Sequence, residues 1–475
     1  MKKLHGVLIA LISLILAVSL VYGGLYLYAG QLSVPKGTSL AGWKVGGMKM
    51  GEARTELERK LQSLHTVPVT LTAGGEAKIR LTLKEAGVSY NADSFLSGLD
   101  RLTDGSLLDR VKARYGFQKV WSLQGDWDSA LLKRSLSPQW ESASFGDPVN
   151  ATRRITESDG IVYTPGSTAQ RVDWNGLEEA MRAALPGSFS QAEAARSTRI
   201  VVGLPLKTVQ PDVTLDSLQE QGVTRKITEF STSLGSSGPG RIYNVESAAK
   251  AVNDTLLPPG GIFDYGKAIE KAVSTTGFRE APVIVNGKLQ PGVGGGICQV
   301  SSTLYNAALR TGLEIVERRN HSLPVSYLPK GQDATFAQGS INFRFRNNTG
   351  RYLLIRSAVR SRTLTVKFFG TFPQNVSYTV ESKTVDILPP GSRTVPDASL
   401  PLGASRTLQR GKAGYVVETY LTRMVDGIAV ERKRLSRDIY RPQKALVAVG
   451  QGSGGLFTPE PTERPLVEDG IRKVN

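Results

Sequence analysis

From Val7 to Tyr28 the chain is apolar without one charged residue, and Lys2 and Lys3 stand in front of it. At about 1.5 Å per residue such a run makes a helix of about 33 Å, enough to cross a bilayer. Lysines on the N-terminal flank place that end in the cytoplasm. The expectation is therefore a single-pass transmembrane helix over residues 5–29, in the cell membrane, with the main body extracytoplasmic. A cleaved signal peptide is the rival expectation, although no clean small-x-small site follows the run.

Beyond the anchor the pattern turns amphipathic. Ala53, Leu57 and Leu61 recur at helical spacing, whereas Val67–Thr72 and Ala77–Leu83 alternate around Gly74-Gly75 as a hairpin does. A short strand, a small polar residue and an amphipathic helix follow one another three times. They begin at Gly87-Val88-Ser89-Tyr90, at Gly125-Asp126-Trp127-Asp128 and at Arg171-Val172-Asp173-Trp174-Asn175. Asn91 reads as a helix cap. These echoes predict a duplicated α+β binding region over 36–205. A second α+β domain is expected over 225–370, with Asn244 capping a helix, an Asn286-Gly287 hairpin turn and closing strands in 341–370. Recurrent glycines and an Asp426-Gly427 turn signal predict an elongated all-β module over 375–450. The Gly/Pro/Glu-rich 451–475 reads as a disordered tail. The fold class is α+β, in several domains.

Charge and rare residues narrow the function. Among 475 residues, 59 Lys and Arg face 42 Asp and Glu, a formal charge of +17. Export removes nucleic acid as a partner, leaving an anionic cell-wall polymer or the outer leaflet, or no more than a dispersed basic surface. One cysteine excludes an intrachain disulfide and any zinc site of several thiolates. Three scattered histidines leave little for a metal centre, so neither metal nor cofactor is expected.

The densest chemical signal is Gly292–Leu309. A triple glycine lets backbone approach a partner closely, and a helix follows in which Val300, Leu304, Ala307 and Ala308 share one face. Cys298 then stands at the helix N-terminus, where free N–H groups lower a thiol pKa. His321 and Asp333 follow, completing the set a thiol enzyme needs: nucleophile, base and orienting group, with the Cys298 N–H or Gln299 as oxyanion donors. Taken singly, each has a plainer reading: a packed cysteine, a hydrogen-bonded histidine and a turn aspartate.

The run Gly294-Gly295-Gly296-Ile297-Cys298-Gln299-Val300-Ser301-Ser302-Thr303-Leu304-Tyr305-Asn306 resembles the VanW domain, a family named for an accessory protein of a vancomycin-resistance cluster. Glu317-Arg318, His321-Ser322 and Gly331-Gln332-Asp333-Ala334-Thr335 continue the resemblance, as do Arg241, Asn244, Pro259-Gly260 and Phe263, over about residues 225–357. The chain departs from the family phrase at Ile262-Phe263-Asp264-Tyr265. Residues 67–205 are similar to the domain, regarded as peptidoglycan-binding, that often precedes VanW domains, and the C-terminal stretch resembles the "G-five" wall-associated module. The resemblance implies a wall-binding protein, with peptidoglycan as partner and Arg241, Asn244, Gly295, Gly296, Gln299 and Arg318 as candidate ligand contacts. The alternative is a transpeptidase- or amidase-like thiol enzyme acting on peptidoglycan stem peptides through Cys298, His321 and Asp333.

Overall fold

The computed structural model describes residues 2–285, 288–450 and 467–471. The chain forms two compact units, residues 1–150 with 166–212, and residues 151–165 with 213–475.

In the first unit, α1 (Lys2–Ala29) is long and apolar enough to span a membrane, and none of its apolar window is buried against the rest of the chain. α2 (Met50–His65) turns Ala53, Leu57 and Leu64 into a core shared with β1 (Pro68–Ala73). β1 pairs antiparallel with β2 (Glu76–Thr82) through Gly74-Gly75, whose φ angles of 59° and 83° suit glycine, and β3 (Ile200–Gly203) joins β1 in parallel. The strand–cap–helix phrases form as expected in two places. Asp128 caps Ser129–Ser135 and Asp173 caps Trp174–Ala184, each accepting a backbone N–H two residues on. At the third, Ala92 rather than Asn91 is the cap residue, and the Asn91 side chain accepts from the Asp93 N–H at 3.4 Å.

The unbroken region expected over 36–205 is interrupted. Residues 151–165 form a hairpin of strands Thr152–Ile155 and Ile161–Thr164 that belongs to the second unit. Its Ile155 and Ile161 pack on Val223, Leu354 and Phe369, and Asp159 receives Lys226 Nζ and Lys367 Nζ, both at 2.6 Å. Apolar burial and two ion pairs hold the hairpin there.

The second unit is built on a four-stranded antiparallel sheet. Its strands are β4 (Arg225–Ser233), β5 (Thr255–Leu257), β8 (Leu353–Arg360) and β9 (Thr363–Gly370), in the order β4-β9-β8-β5. Helix α3 (Pro239–Val252) starts at Gly238, so Asn244 lies inside it rather than at its cap. After α4 (Tyr265–Thr275) come the paired strands β6 (Glu280–Val285) and β7 (Lys288–Val293). The Asn286-Gly287 turn between them lies outside the described residues.

Helix α5 (Ile297–Thr311) is the centre of the unit, with every residue from Ile297 to Leu309 buried. A helix buried all round must satisfy its polar side chains internally. Ser301 Oγ donates to Ala334 O at 2.6 Å, Thr303 Oγ1 to Gln299 O at 2.6 Å, and Asn306 Nδ2 to Gln332 O at 2.7 Å.

The C-terminal region is all-β. β10 (Val376–Leu388), β11 (Gly414–Val425) and β12 (Ile428–Tyr440) form an antiparallel sheet in that order, and Ser392–Pro396, Ala445–Val449 and Ser405–Gln409 form a second. Asp426 and Gly427, at φ 50° and 78°, make the tight turn between β11 and β12 that the sequence signals. Of the tail read as disordered, residues 467–471 are ordered instead. Strand β13 (Val467–Glu468) pairs antiparallel with β6, where the hairpin edge offers unpaired backbone groups.

Candidate functional site

The site grows around the N-terminus of α5. Gly296 precedes it at φ 110°, and a Cβ there would lie 2.8 Å from Arg241 Cγ; a Cβ on Gly295 would lie 2.4 Å from Pro282 O. The glycines are thus required by close packing of the α5 entry on α3 and β6. Asn244, fully buried, clasps the same loop, donating to Gly295 O at 3.0 Å and Arg279 O at 2.9 Å and accepting the Arg279 N–H at 2.7 Å. The side chain's donors and acceptor are thereby committed to backbone.

Cys298 is in the first turn of α5, as expected, but its surroundings there disfavour the thiolate. It is fully buried, and Sγ exchanges hydrogen bonds with the Phe336 backbone, donating to O at 3.3 Å and accepting from N at 3.0 Å. Burial and the nearby Asp469 carboxylate push its pKa well above the ordinary thiol value, outweighing the hydrogen bonds that favour the anion. The Cys298 N–H, expected as an oxyanion donor, is already engaged by Asp469 Oδ1 at 2.7 Å.

His321 and Asp333 do meet. His321 Nδ1 lies 2.7 Å from Asp333 Oδ2, which also accepts the His321 backbone N–H at 2.7 Å. Burial alone would push the imidazole pKa down, but the Asp333 contact carries it upward. The reverse holds for Asp333, where burial is outweighed by His321 and Arg318 and the pKa falls to about 2. His321 Nε2 is buried without a hydrogen-bond partner among the described residues. The structure therefore joins the last two members of the expected triad and gives the sulfur to Phe336.

Arg318 anchors a wider network. Nε donates to Asp333 O at 2.7 Å, Nη1 to both Asp438 carboxylate oxygens at 2.6 and 2.7 Å, and Nη2 to Gly331 O at 3.3 Å. The Tyr440 hydroxyl donates to Asp333 Oδ1 and accepts the Gly331 N–H at 2.6 Å. Arg241 donates to Asp469 Oδ2 at 3.0 Å and to Gln299 Oε1 at 3.3 Å, and Gln299 Nε2 donates to Ser233 O at 2.9 Å. Asp264, at the departing phrase, caps α4 and accepts Asn342 Nδ2 at 2.7 Å.

Asp438, Tyr440 and Asp469 are the residues that sequence reasoning missed. They lie 120, 107 and 171 residues from the partners they serve, and no local spacing announces them. A polar cleft of about 740 Å³ opens beside this network, between strand Glu314–Glu317 and the β10–β12 sheet; Arg318, Asp438, Tyr378, Arg423, Glu431 and Lys433 are among the residues that line it.

Residues 240–369 match the family model described as VanW like protein, and residues 378–452 match the G5 domain. The chain carries a VanW-like domain followed by a G5 domain. An uncharacterized protein YoaR of Bacillus subtilis is 41% identical over 134 residues, covering 28% of this chain and 44% of that protein. The Vancomycin B-type resistance protein VanW of Enterococcus faecalis is 35% identical over 114 residues, covering 23% of this chain and 42% of that protein. The chain thus spans less than half the length of either relative. The G5 domain is similar to the crystal structure of HP0197-G5, at 36% identity over 15% of this chain and 97% of that one, with a TM-score of 0.12. The IgA1 protease G5 domain matches at 24% identity over 16% and 89%, with a TM-score of 0.14. The α5 network belongs to the VanW-like domain, and Asp438 and Tyr440 reach it from the G5 domain.

Proposed function

We propose that this protein is a membrane-anchored, extracytoplasmic protein that binds peptidoglycan or another anionic cell-wall polymer. The observation that carries this reading is the order of parts in one chain: an apolar helix whose apolar window is not buried among the described residues, a VanW-like domain and a G5 domain. G5 domains are associated with cell-wall and glycan polymers. The basic excess of +17 suits an anionic matrix, and the lysines before α1 favour a cytoplasmic N-terminus. The repeated strand–cap–helix phrases of the first unit fit a duplicated binding module. The name of the VanW relative extends the proposal to wall remodelling under glycopeptide stress.

In this reading Cys298 packs and hydrogen-bonds; it does not attack a substrate. A fully buried sulfur bound to backbone on both sides supports that role, since a nucleophile needs an accessible thiolate. The polar cleft beside the G5 sheet is the proposed polymer contact, with Arg423 and Lys433 as the cations that sheet contributes beside Arg318.

The test is co-sedimentation of the full detergent-solubilised chain with purified peptidoglycan. Binding that weakens at least fivefold in Arg423→Glu/Lys433→Glu and persists in Cys298→Ser is the expected result. Absence of the chain from the peptidoglycan pellet would overturn the reading.

A further inference from the structure

The C-terminal segment 467–471 sits on the VanW-like domain as a bound peptide would. Its first two residues add a strand to β6, Val467 opposite Val285 and Glu468 opposite Ile284. Glu468 Oε2 accepts both the Ser322 N–H and the Ser322 hydroxyl at 3.0 Å. Asp469 is seated at the entry of the fifteen-residue α5, with Oδ1 on the Cys298 N–H at 2.7 Å and Oδ2 on Arg241 at 3.0 Å. Beyond it Gly470 bridges Ala337, and the Ile471 N–H donates to Val293 O at 2.9 Å. Backbone pairing supplies adhesion here, and two carboxylates in fitted seats supply selectivity.

The seat of Asp469 is a built anion site rather than a helix end alone. Arg241 is held by Gln299, which α5 and β4 fix in turn, and a first-turn N–H points at the same carboxylate. Without an anion the site would leave a largely buried guanidinium unpaired, a costly state. A second observation shows capacity that the segment leaves unused. His321, 1% exposed and adjacent to the Ser322 that holds Glu468, has no partner for Nε2 among the described residues, and its imidazole feels the charges of Asp469 and Glu468. Asp469 itself is held at φ 61°, in the left-handed region that non-glycine residues seldom occupy. These contacts impose an uncommon backbone conformation on the segment.

We propose that the groove formed by the edge of β6 and the N-terminus of α5 is a recognition site for an extended acidic peptide, and that residues 467–471 are its tethered occupant. An outside peptide of the same chemistry competes with the segment for β6, Ser322, Arg241 and the Cys298 N–H. The tether favours the resident segment by effective concentration, so the site opens to others when the segment is weakened or displaced.

The experiment uses the full chain in detergent and a fluorescent, N-acylated and C-amidated Val-Glu-Asp-Gly-Ile peptide, followed by anisotropy. Glu468→Ala/Asp469→Ala removes the resident carboxylates, and circular dichroism checks that the chain remains folded. That variant is expected to bind the peptide at least tenfold more tightly than the wild type. Binding is expected to weaken at least tenfold when the peptide's Asp is replaced by Asn, or when Arg241→Ala is added to the chain. A folded double variant that takes up no peptide, binds no better than the wild type, or ignores the Asp-to-Asn change overturns the proposal. Should the double variant not fold, Asp469→Asn alone carries the same comparison.

Discussion

Asp333 is buried with an imidazole, a guanidinium and a phenol around it: His321 at 2.7 Å, Arg318 at 3.6 Å and the Tyr440 hydroxyl. Removing the carboxylate leaves buried His321 and Tyr440 without their acceptor and Arg318 with Asp438 alone, so Asp333→Ala is expected to cost about 3–5 kcal/mol in urea unfolding. The same pair sets a pH profile. Asp333 titrates at about 2 in the fold, below the unfolded value of about 3.9, so its contribution is present above about pH 4 and fades as pH falls toward 2. His321 titrates higher in the fold than the unfolded value of about 6.5. Its contribution is complete below that value and is lost as pH rises through the raised one. Urea midpoints measured across pH are expected to decline as pH rises through the raised His321 value in the wild type, and that step should vanish in His321→Gln, leaving only the decline at higher pH that the buried Cys298 thiol imposes. At Cys298 the expected outcome is resistance: the native wild-type thiol should react with iodoacetamide at neutral pH at least a hundredfold more slowly than after unfolding. The sequence showed that a cysteine, a histidine and an aspartate lie near one another in the chain. It could not show which of them meet, because that depends on Phe336 reaching the sulfur from a separate loop.

Hairpins and amphipathic helices were legible because their signals are local. Gly74-Gly75 and Asp426-Gly427 turn where positive φ angles are needed, and Leu57 faces inward because helical periodicity puts it there. The central helix α5 was legible as a helix but not as the core of its unit. Ser301, Ser302, Thr303 and Asn306 look like a solvated face, and hydrogen bonds to backbone carbonyls of Cys298, Gln299, Ser302, Gln332 and Ala334, with Thr232 and Arg310 side chains beside them, make their burial tolerable. Asn244 was misplaced for a related reason, since a buried asparagine that clasps two loops has the same letter as a cap. Gly296 gives the element-scale prediction. Its φ of 110° and the 2.8 Å approach of Arg241 Cγ make Gly296→Ala destabilising by about 1–3 kcal/mol, with the melting temperature lowered and α5 entry disturbed.

At the scale of the whole second unit, the bidentate Arg318–Asp438 pair and the Tyr440–Asp333 bond tie the G5 domain to the VanW-like domain. Cutting the tie with Asp438→Ala leaves Arg318 half-compensated. Calorimetry is expected to show the single transition of this unit broaden or divide, with a loss of about 3–5 kcal/mol. Domain order was readable from motifs, whereas this tie was not, since its partners are 120 residues apart.

The detour of residues 151–165 has a consequence for synthesis. A ribosome releases the hairpin long before Lys226, Leu354 and Lys367, the residues that will receive it. The first unit closes its sequence at Asp212, so it is complete while that excursion still waits for its partners. The growing chain therefore carries a stretch of the second unit, with Ile155 and Ile161 uncovered, until the strand pair Leu353–Arg360 and Thr363–Gly370 has emerged. Any swap of the VanW-like domain between proteins that starts at residue 240 leaves this hairpin behind in the donor.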